Sequence, residues 1–294
     1  MTAATETGFL ESSGHRIRWE RHGNRNGRRW MFVHGGPGGR SMVEHLAFFD
    51  LATHDVLLFD QRGCGGSTPR AALEDNSTLA TVYDMERLRC RLGWRSLSLL
   101  GISWGAWPAA EYARLFPGNV DRFILACPFA PAPAILRLSE DVLFESLEEW
   151  PSAISKPRGI GTDQPYADCL VALTSGEPVR VRSTARLFLE IDARMAGTTA
   201  TDALFERLFD AETVASFILQ AHYAANAYFS PMPCNGEAHP AAARGSTLTG
   251  TRDIAGMIAA DWYRRAGLTA RELPGIGHAA LHPQMLRAIR RQVA

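Results

Sequence analysis

Short apolar runs occur along the first 130 positions, and turn-forming residues bound each of them. Runs of about four apolar residues with such boundaries are typical of strands buried on both faces of a parallel sheet. Residues 9–23 differ, because polar and apolar positions alternate there around a Ser-Ser-Gly turn. That alternation predicts an opening hairpin. The runs that predict buried strands lie at 30–33, 56–59, 97–100 and 123–126.

Helical periodicity separates these strands. The apolar residues between 79 and 88 share one helical face, and Asn76 or Ser77 could cap a helix that runs to about Leu92. A second helix is expected over 106–116, because Pro117-Gly118 follows and stops it. Strands that alternate with helices predict an α/β fold with a mostly parallel, doubly wound sheet.

The pattern changes after residue 129. From there to about 233 helical patterns and prolines occur without a clear buried strand. We therefore expect a helical cap at 130–234, inserted into an α/β core formed by 1–129 and 235–294. The cap helices are expected at 143–150, 183–195 and 203–229. The core is expected to resume with strands at 246–249 and 269–273 and with helices at 254–266 and from about 283.

Composition narrows the possible partners. The chain has 294 residues, with 31 Lys plus Arg against 31 Asp plus Glu, so its charge does not favour nucleic acid or an anionic membrane. Residues 1–8 lack the pattern of a signal peptide, and no apolar run approaches a membrane span, so we expect a cytoplasmic protein. The five cysteines are widely spread, without metal-ligand spacing. No metal and no organic cofactor are implied, and the oligomeric state stays open.

The candidate nucleophile is Ser103. It is the centre of Gly101-Ile-Ser-Trp-Gly105, which follows a predicted buried strand and precedes a predicted helix. A nucleophile elbow needs this strand-turn-helix setting, with glycines where neighbouring chain approaches closely. An ordinary turn rich in glycine and serine is the alternative, and the setting disfavours it.

A general base and an acid should follow the nucleophile, with the acid first. Asp253 lies just after a predicted late strand, and His278 follows the last predicted strand. His278 would take the Ser103 proton, and Asp253 would fix the imidazole tautomer. His282 competes with His278, while Asp261 competes with Asp253 from inside a predicted helix.

The oxyanion hole needs two backbone N–H donors. Trp104, the residue after the nucleophile, should supply one of them. Gly36 should supply the other, because it lies in the His-Gly-Gly-Pro-Gly-Gly loop at 34–39 after the first long strand. A phosphate-binding role for these glycines is disfavoured, since no Gly-Lys-Ser/Thr follows them.

Three segments in order resemble the proline iminopeptidase branch of the α/β-hydrolases. They are the loop at 34–39, Asp-Gln-Arg-Gly-Cys-Gly-Gly-Ser-Thr-Pro at 60–69, and Gly-Ile-Ser-Trp-Gly at 101–105. The resemblance is dense over residues 8–129 and thins to short islands afterwards. It implies an α/β-hydrolase fold and a serine aminopeptidase with Ser103, Asp253 and His278 as its triad. It also implies that Phe129 lines the pocket for proline.

Two departures concern the substrate. The family holds the substrate's free amino group on a glutamate in a Glu-Asn-His-Tyr stretch, where this chain has Gln220. A neutral amide cannot supply a charge-assisted hydrogen bond, so Glu190 or another cap carboxylate is expected to replace it. A second aromatic residue of the family's pocket would fall near Ser139.

The sequence is compatible with three hypotheses for the function of the protein. The first is an aminopeptidase or aminoacyl-amide hydrolase that acts on a short peptide or a small metabolite. The second is an esterase or lactonase whose substrate has no free amine. The third is a binding protein without catalysis, which the complete candidate triad disfavours.

Overall fold

The structure is a computed structural model that describes residues 4–152, 154–230 and 238–294. Its described residues form an eight-stranded sheet with the order β1-β2-β4-β3-β5-β6-β7-β8. The pairs β1–β2 and β2–β4 are antiparallel, and the other neighbouring strands are parallel. The mostly parallel sheet is therefore confirmed. The strands are β1 (Glu6–Ser12), β2 (His15–Gly23), β3 (Arg28–Val33), β4 (His54–Phe59), β5 (Leu97–Ile102), β6 (Val120–Ala126), β7 (Gly245–Gly250) and β8 (Thr269–Leu273).

The central strands are apolar at consecutive positions because both faces of the sheet are covered. On β3, Met31 and Val33 pack into one apolar cluster, while Trp30 and Phe32 pack into a second cluster on the opposite face. Side chains of a strand alternate between the two faces, so two cores require an uninterrupted apolar run. The flanking helices are α1 (Thr78–Arg91), α2 (Ala106–Leu115), α8 (Ile254–Arg265) and α9 (Pro283–Val293).

Five α-helices lie between β6 and β7 in the described part of the chain, and we call this stretch the cap segment. It has an apolar cluster of its own, in which Leu143, Phe188 and Phe217 are buried. None of these helices, nor any other in the described ranges, is long and apolar enough to cross a membrane. The helices are α3 (Pro133–Glu148), α4 (Pro165–Leu173), α5 (Pro178–Met195), α6 (Asp202–Leu208) and α7 (Ala211–Ala225).

The cap segment departs from the expected helices in four ways, one of which is that α5 begins five residues before the predicted 183. The predicted helix at 203–229 is wrong, because the chain breaks into α6 and α7, with the Asp210 side chain accepting a hydrogen bond from Thr213 N–H to start α7. Helix α3 begins ten residues before the predicted 143, and α4 was not predicted. The predicted boundary at 234/235 lies outside the described residues.

Helix α7 is attached to the core at both ends. Near its C-terminus, His222 Nε2 lies 2.8 Å from the Asn76 carbonyl oxygen, and the Tyr223 hydroxyl donates to Asn76 Oδ1 at 2.8 Å. Near its N-terminus, Arg70 binds Glu212 at 2.7 Å. These contacts hold α7 against the core, where its Gln220 and Ala224 line the cavity that contains Ser103.

Candidate active site

Ser103 occupies a strained turn between β5 and α2. Its φ is 54°, in the left-handed region that non-glycine residues rarely adopt. A Cβ at Gly105 would lie 2.1 Å from the Val33 carbonyl oxygen, and one at Gly101 would lie 2.4 Å from the Gly105 carbonyl oxygen. Both positions therefore require glycine, and the turn presents the Ser103 side chain above the edge of the sheet.

A continuous hydrogen-bonded chain joins Ser103, His278 and Asp253. His278 Nε2 lies 2.8 Å from Ser103 Oγ, and His278 Nδ1 lies 2.8 Å from Asp253 Oδ2. Asp253 follows β7 and is fully buried, and its other oxygen accepts from Gly256 N–H at the start of α8. A buried carboxylate at Nδ1 favours the tautomer with the proton there, which leaves Nε2 free to accept the Ser103 proton.

The two rival residues have other partners. The His282 side chain caps α9 by accepting from Gln284 N–H. Asp261 lies within α8 and pairs with Arg264 and Arg265 on the surface. The structure brings neither of them to Ser103.

Both predicted oxyanion donors lie beside the nucleophile. Gly36 and Trp104 line the same cavity as Ser103. Gly36 has φ +128°, and a Cβ there would meet the backbone nitrogens of Gly38 and Gly39 at 2.6 Å. This position thus needs glycine because of its positive φ and because a side chain would clash with the loop backbone.

The cavity above Ser103 has a volume of about 370 Å³ and lies between the sheet and the cap segment. Phe129 forms part of its wall, and its N–H donates to the Ser103 carbonyl oxygen at 3.0 Å. The Phe129 ring packs 4.6 Å from the Tyr228 ring and 5.7 Å from the Trp104 ring, centroid to centroid. The wall near the nucleophile is therefore aromatic.

One face of α5 forms the opposite wall. Phe188, Ile191, Asp192 and Met195 all line the cavity, at the i, i+3, i+4 and i+7 spacing of a single helical face. Asp192 is the only carboxylate among the described lining residues, and residue patterning alone did not single it out. Its signal in the sequence is a charged residue on an otherwise apolar face.

Glu190, the predicted substrate-binding carboxylate, does not line this cavity. Two helical positions correspond to about 200° of rotation, so Glu190 and Asp192 point to opposite sides of α5. Glu190 binds Arg194 Nε at 2.9 Å, and Arg194 also binds Glu149 at 2.6 Å. Of the cap carboxylates that could replace the family glutamate, Asp192 lines the cavity and Glu190 does not.

Gln220 reaches the cavity from α7 and faces Asp192. Its Nε2 donates to Asp192 Oδ2 at 3.3 Å. Asp192 is exposed by its accessible surface, yet the protein packed around its carboxyl group raises its pKa to about 6, while the Gln220 hydrogen bond and the nearby His278 oppose the rise. Asp192 has no arginine or lysine partner among the ion pairs of the described residues. The described lining thus offers one ionisable carboxyl group without a cation.

Ser139 and Tyr166 form another part of the lining. Their hydroxyl groups are hydrogen-bonded to each other, and the Tyr166 hydroxyl also lies 3.0 Å from the Ser139 carbonyl oxygen. Ser139 itself is not aromatic, but α4 brings an aromatic ring next to it. In the described ranges, no group of three or more His, Cys, Asp or Glu side chains could hold a metal ion.

Comparisons with known proteins support the α/β architecture described above. Residues 31–157 match the family model of the alpha/beta hydrolase fold. The structure is similar to a proline iminopeptidase-related protein from Thermus thermophilus, with a TM-score of 0.65 and 22% identity over 97% of this chain and 96% of that one. The protein therefore has an α/β-hydrolase fold, as the sequence predicted.

Within that class the chain is similar to proline iminopeptidases, and the predicted resemblance is confirmed. It is 40% identical to the Arabidopsis thaliana proline iminopeptidase over 114 residues, which are 39% of this chain and 30% of the relative. It is 38% identical to the Neisseria meningitidis enzyme of that name over 129 residues, which are 44% of this chain and 42% of the relative. The matches span less than half of these relatives.

Proposed function

We propose that this protein is a serine hydrolase that removes an N-terminal aminoacyl group, with proline or another small residue, from a peptide or a small metabolite. The observation that carries the proposal is the carboxylate of Asp192, which lines the same cavity as Ser103 and His278 and has no cationic partner among the described residues there. A substrate ammonium group would supply that partner. The amide side chain of Gln220 would then orient the carboxylate.

The proposed reaction begins when Ser103 Oγ attacks the substrate carbonyl carbon and its proton passes to His278 Nε2. The N–H groups of Gly36 and Trp104 stabilise the oxyanion. The bond to the leaving nitrogen then breaks, and His278 returns the proton to that nitrogen. In the second half, water attacks the acyl-enzyme and gives a proton to His278, which passes it to Ser103 Oγ as the ester bond breaks.

The size and lining of the cavity support a small acyl group. A volume of about 370 Å³ is at the lower end of the range for small-molecule sites. Phe129, Trp104 and Tyr228 offer a compact aromatic wall that suits a flat apolar ring such as that of proline. Asp192 lies on the wall formed by α5, so that one substrate residue could contact the aromatic rings and the carboxylate together.

The test compares prolyl- and alanyl-p-nitroanilide with their N-acetylated forms and with p-nitrophenyl butyrate. For Asp192→Asn, kcat/KM on the free-amine anilides should fall about 10- to 100-fold, because hydrogen bonds to charged groups contribute about 1.5–3 kcal/mol. Its kcat/KM on the butyrate should stay within about threefold of the wild-type value, since that substrate has no ammonium group.

Glu190→Gln is the matched control, because it neutralises a carboxylate two residues away on the outward face of α5. It should leave the free-amine rates unchanged. Equal cleavage of the free and acetylated anilides by the wild-type protein would contradict an amine requirement. Cleavage of the butyrate alone would favour the esterase reading.

Hydrolysis of free-amine substrates should also depend on the protonation of Asp192. Burial raises the pKa of Asp192 to about 6, so the carboxyl is ionised above that pH and neutral below it. The ratio of kcat/KM for alanyl-p-nitroanilide to that for p-nitrophenyl butyrate should therefore fall about tenfold between pH 7 and pH 5. Effects on groups that act on both substrates cancel in the ratio. In Asp192→Asn the ratio should not change with pH, and a wild-type ratio that stayed constant would contradict the assignment.

A further inference from the structure

The buried side chain of Gln61 bonds to both sides of the predicted oxyanion hole. Its Oε1 accepts from the Trp104 indole N–H at 3.1 Å, and its Nε2 donates to the His34 carbonyl oxygen at 2.8 Å. The indole nitrogen can only donate, so it fixes which end of the Gln61 amide faces each neighbour. One side chain thus joins the residue after the nucleophile to the loop after β3.

The backbone of Gln61 determines the tautomer of His34. The Gln61 N–H donates to His34 Nε2 at 3.0 Å, so the ring proton must be on Nδ1. His34 Nδ1 lies 2.8 Å from the Gly35 carbonyl oxygen and donates to it. Burial lowers the pKa of His34, which keeps the ring neutral and this arrangement in place.

The bond to the Gly35 carbonyl orients the next N–H group. The described cis peptide bonds are Gly36–Pro37 and Thr68–Pro69, so Gly35–Gly36 is trans. In a planar trans peptide the C=O and N–H groups point in opposite directions. When His34 holds the Gly35 oxygen on one side, the Gly36 N–H is held toward the other.

We propose that Gln61 is a positioning residue that aligns the two oxyanion donors with each other. It holds Trp104 through the indole, and it holds Gly36 through His34 and the Gly35–Gly36 peptide. This role rests on the proposed function, because it requires Ser103 to form an oxyanion beside these groups. Gln61 itself is not among the residues that line the cavity.

The test uses Gln61→Met, which keeps the length of the side chain and removes its hydrogen bonds. The probe is a fluorophosphonate, which reacts when Ser103 Oγ bonds to phosphorus, fluoride leaves and the serine proton passes to His278. Removing one oxyanion donor outright costs about 10²- to 10³-fold, and misaligning two should slow labelling about 10- to 30-fold. With a substrate that the wild-type protein hydrolyses, kcat of Gln61→Met should fall while its KM stays within about twofold of the wild-type value.

Trp104→Phe gives a second route, because it removes the indole N–H but keeps the backbone donor. If Gln61 acts through Trp104, the double variant Gln61→Met/Trp104→Phe should label about as slowly as the slower single variant. Gln292→Met, the same substitution on α9, should label at the wild-type rate. If Gln61→Met does not fold, Trp104→Phe still tests the inference, because it removes the same Gln61–Trp104 hydrogen bond.

If both Gln61→Met and Trp104→Phe label at the wild-type rate, the positioning role of Gln61 is wrong, while the proposed function is unaffected. Failure of the wild-type protein to label at Ser103 would overturn the proposed function and the inference with it. Slower labelling with an unchanged melting temperature supports positioning, because a purely structural role would lower stability rather than the reactivity of Ser103.

Discussion

Ser103→Ala is expected to lower kcat/KM about 10⁴- to 10⁶-fold on every substrate that the wild-type protein hydrolyses. The substitution removes the oxygen that would bond to the acyl group, and it leaves His278 Nε2 without the partner that lies 2.8 Å away in the structure. Residual turnover would come from water in a cavity that still has the proposed oxyanion donors.

Steady-state rates and intact-mass detection of fluorophosphonate labelling measure this result. Ser246→Ala is a suitable control, since that serine donates to Gln292 Oε1 at 2.7 Å, away from the cavity. The control should keep both activity and labelling. A Ser103→Ala protein that retained more than about a tenth of the wild-type rate would contradict the proposed nucleophile.

The core strands could be predicted because two-sided burial has a strong local signature. On β4 every residue is buried, so the apolar run at 56–59 could be recognised without knowing its neighbours. The start of α1 could also be predicted from a local signal, because the Ser77 side chain caps the helix by accepting a hydrogen bond from Ala80 N–H.

The cap segment was harder to predict because its signals are weaker or refer to distant residues. The stretch 202–230 contains neither glycine nor proline, so the break between α6 and α7 depends on the single cap at Asp210. Helix α4 is only nine residues long, too short for a clear periodic pattern.

The same limit applies to the substrate-binding residues. Periodicity can place Glu190 and Asp192 on opposite faces of α5, but it does not say which face meets the cavity. That choice depends on how the cap segment packs over the sheet, which involves α3, α4 and α7. The candidate triad residues were easier to predict, because each follows a core strand in a known order.

The three residues of the Asp-Gln-Arg motif at 60–62 are adjacent in the sequence, but each makes hydrogen bonds to residues in other parts of the chain. The Asp60 carboxylate accepts from Ser41 N–H and Gly66 N–H. Arg62 binds the buried Asp84 at 2.7 Å. Gln61, between them, reaches Trp104. The sequence marked the motif as a family resemblance, while the three different sets of partners are visible only in the folded chain.

Asp253 combines two roles, and one substitution can separate them. One carboxylate oxygen caps α8 by accepting from Gly256 N–H at 2.9 Å, and the other faces His278 Nδ1. In Asp253→Asn the amide oxygen can keep the cap, but the amide nitrogen then faces His278. Since an amide nitrogen only donates, Nδ1 would have to accept and the ring proton would move to Nε2.

With the proton on Nε2, His278 cannot accept the Ser103 proton. Asp253→Asn is therefore expected to lower kcat about 10³- to 10⁴-fold with little change in melting temperature. Asp253→Ala should lose activity similarly and also lose about 1 kcal/mol of stability with the cap. Asp261→Asn, the same change at a partly exposed site on the same helix, should leave activity unchanged.

Kinetics on the best wild-type substrate and thermal unfolding of the three variants would distinguish these effects. If Asp253→Asn kept more than about a tenth of the wild-type kcat, another group would have to hold His278 in its productive tautomer. If it lost activity only together with its fold, the cap would be the main role of Asp253. Loss of kcat in a protein that still melts normally would mean that Asp253 acts on the reaction through the His278 proton.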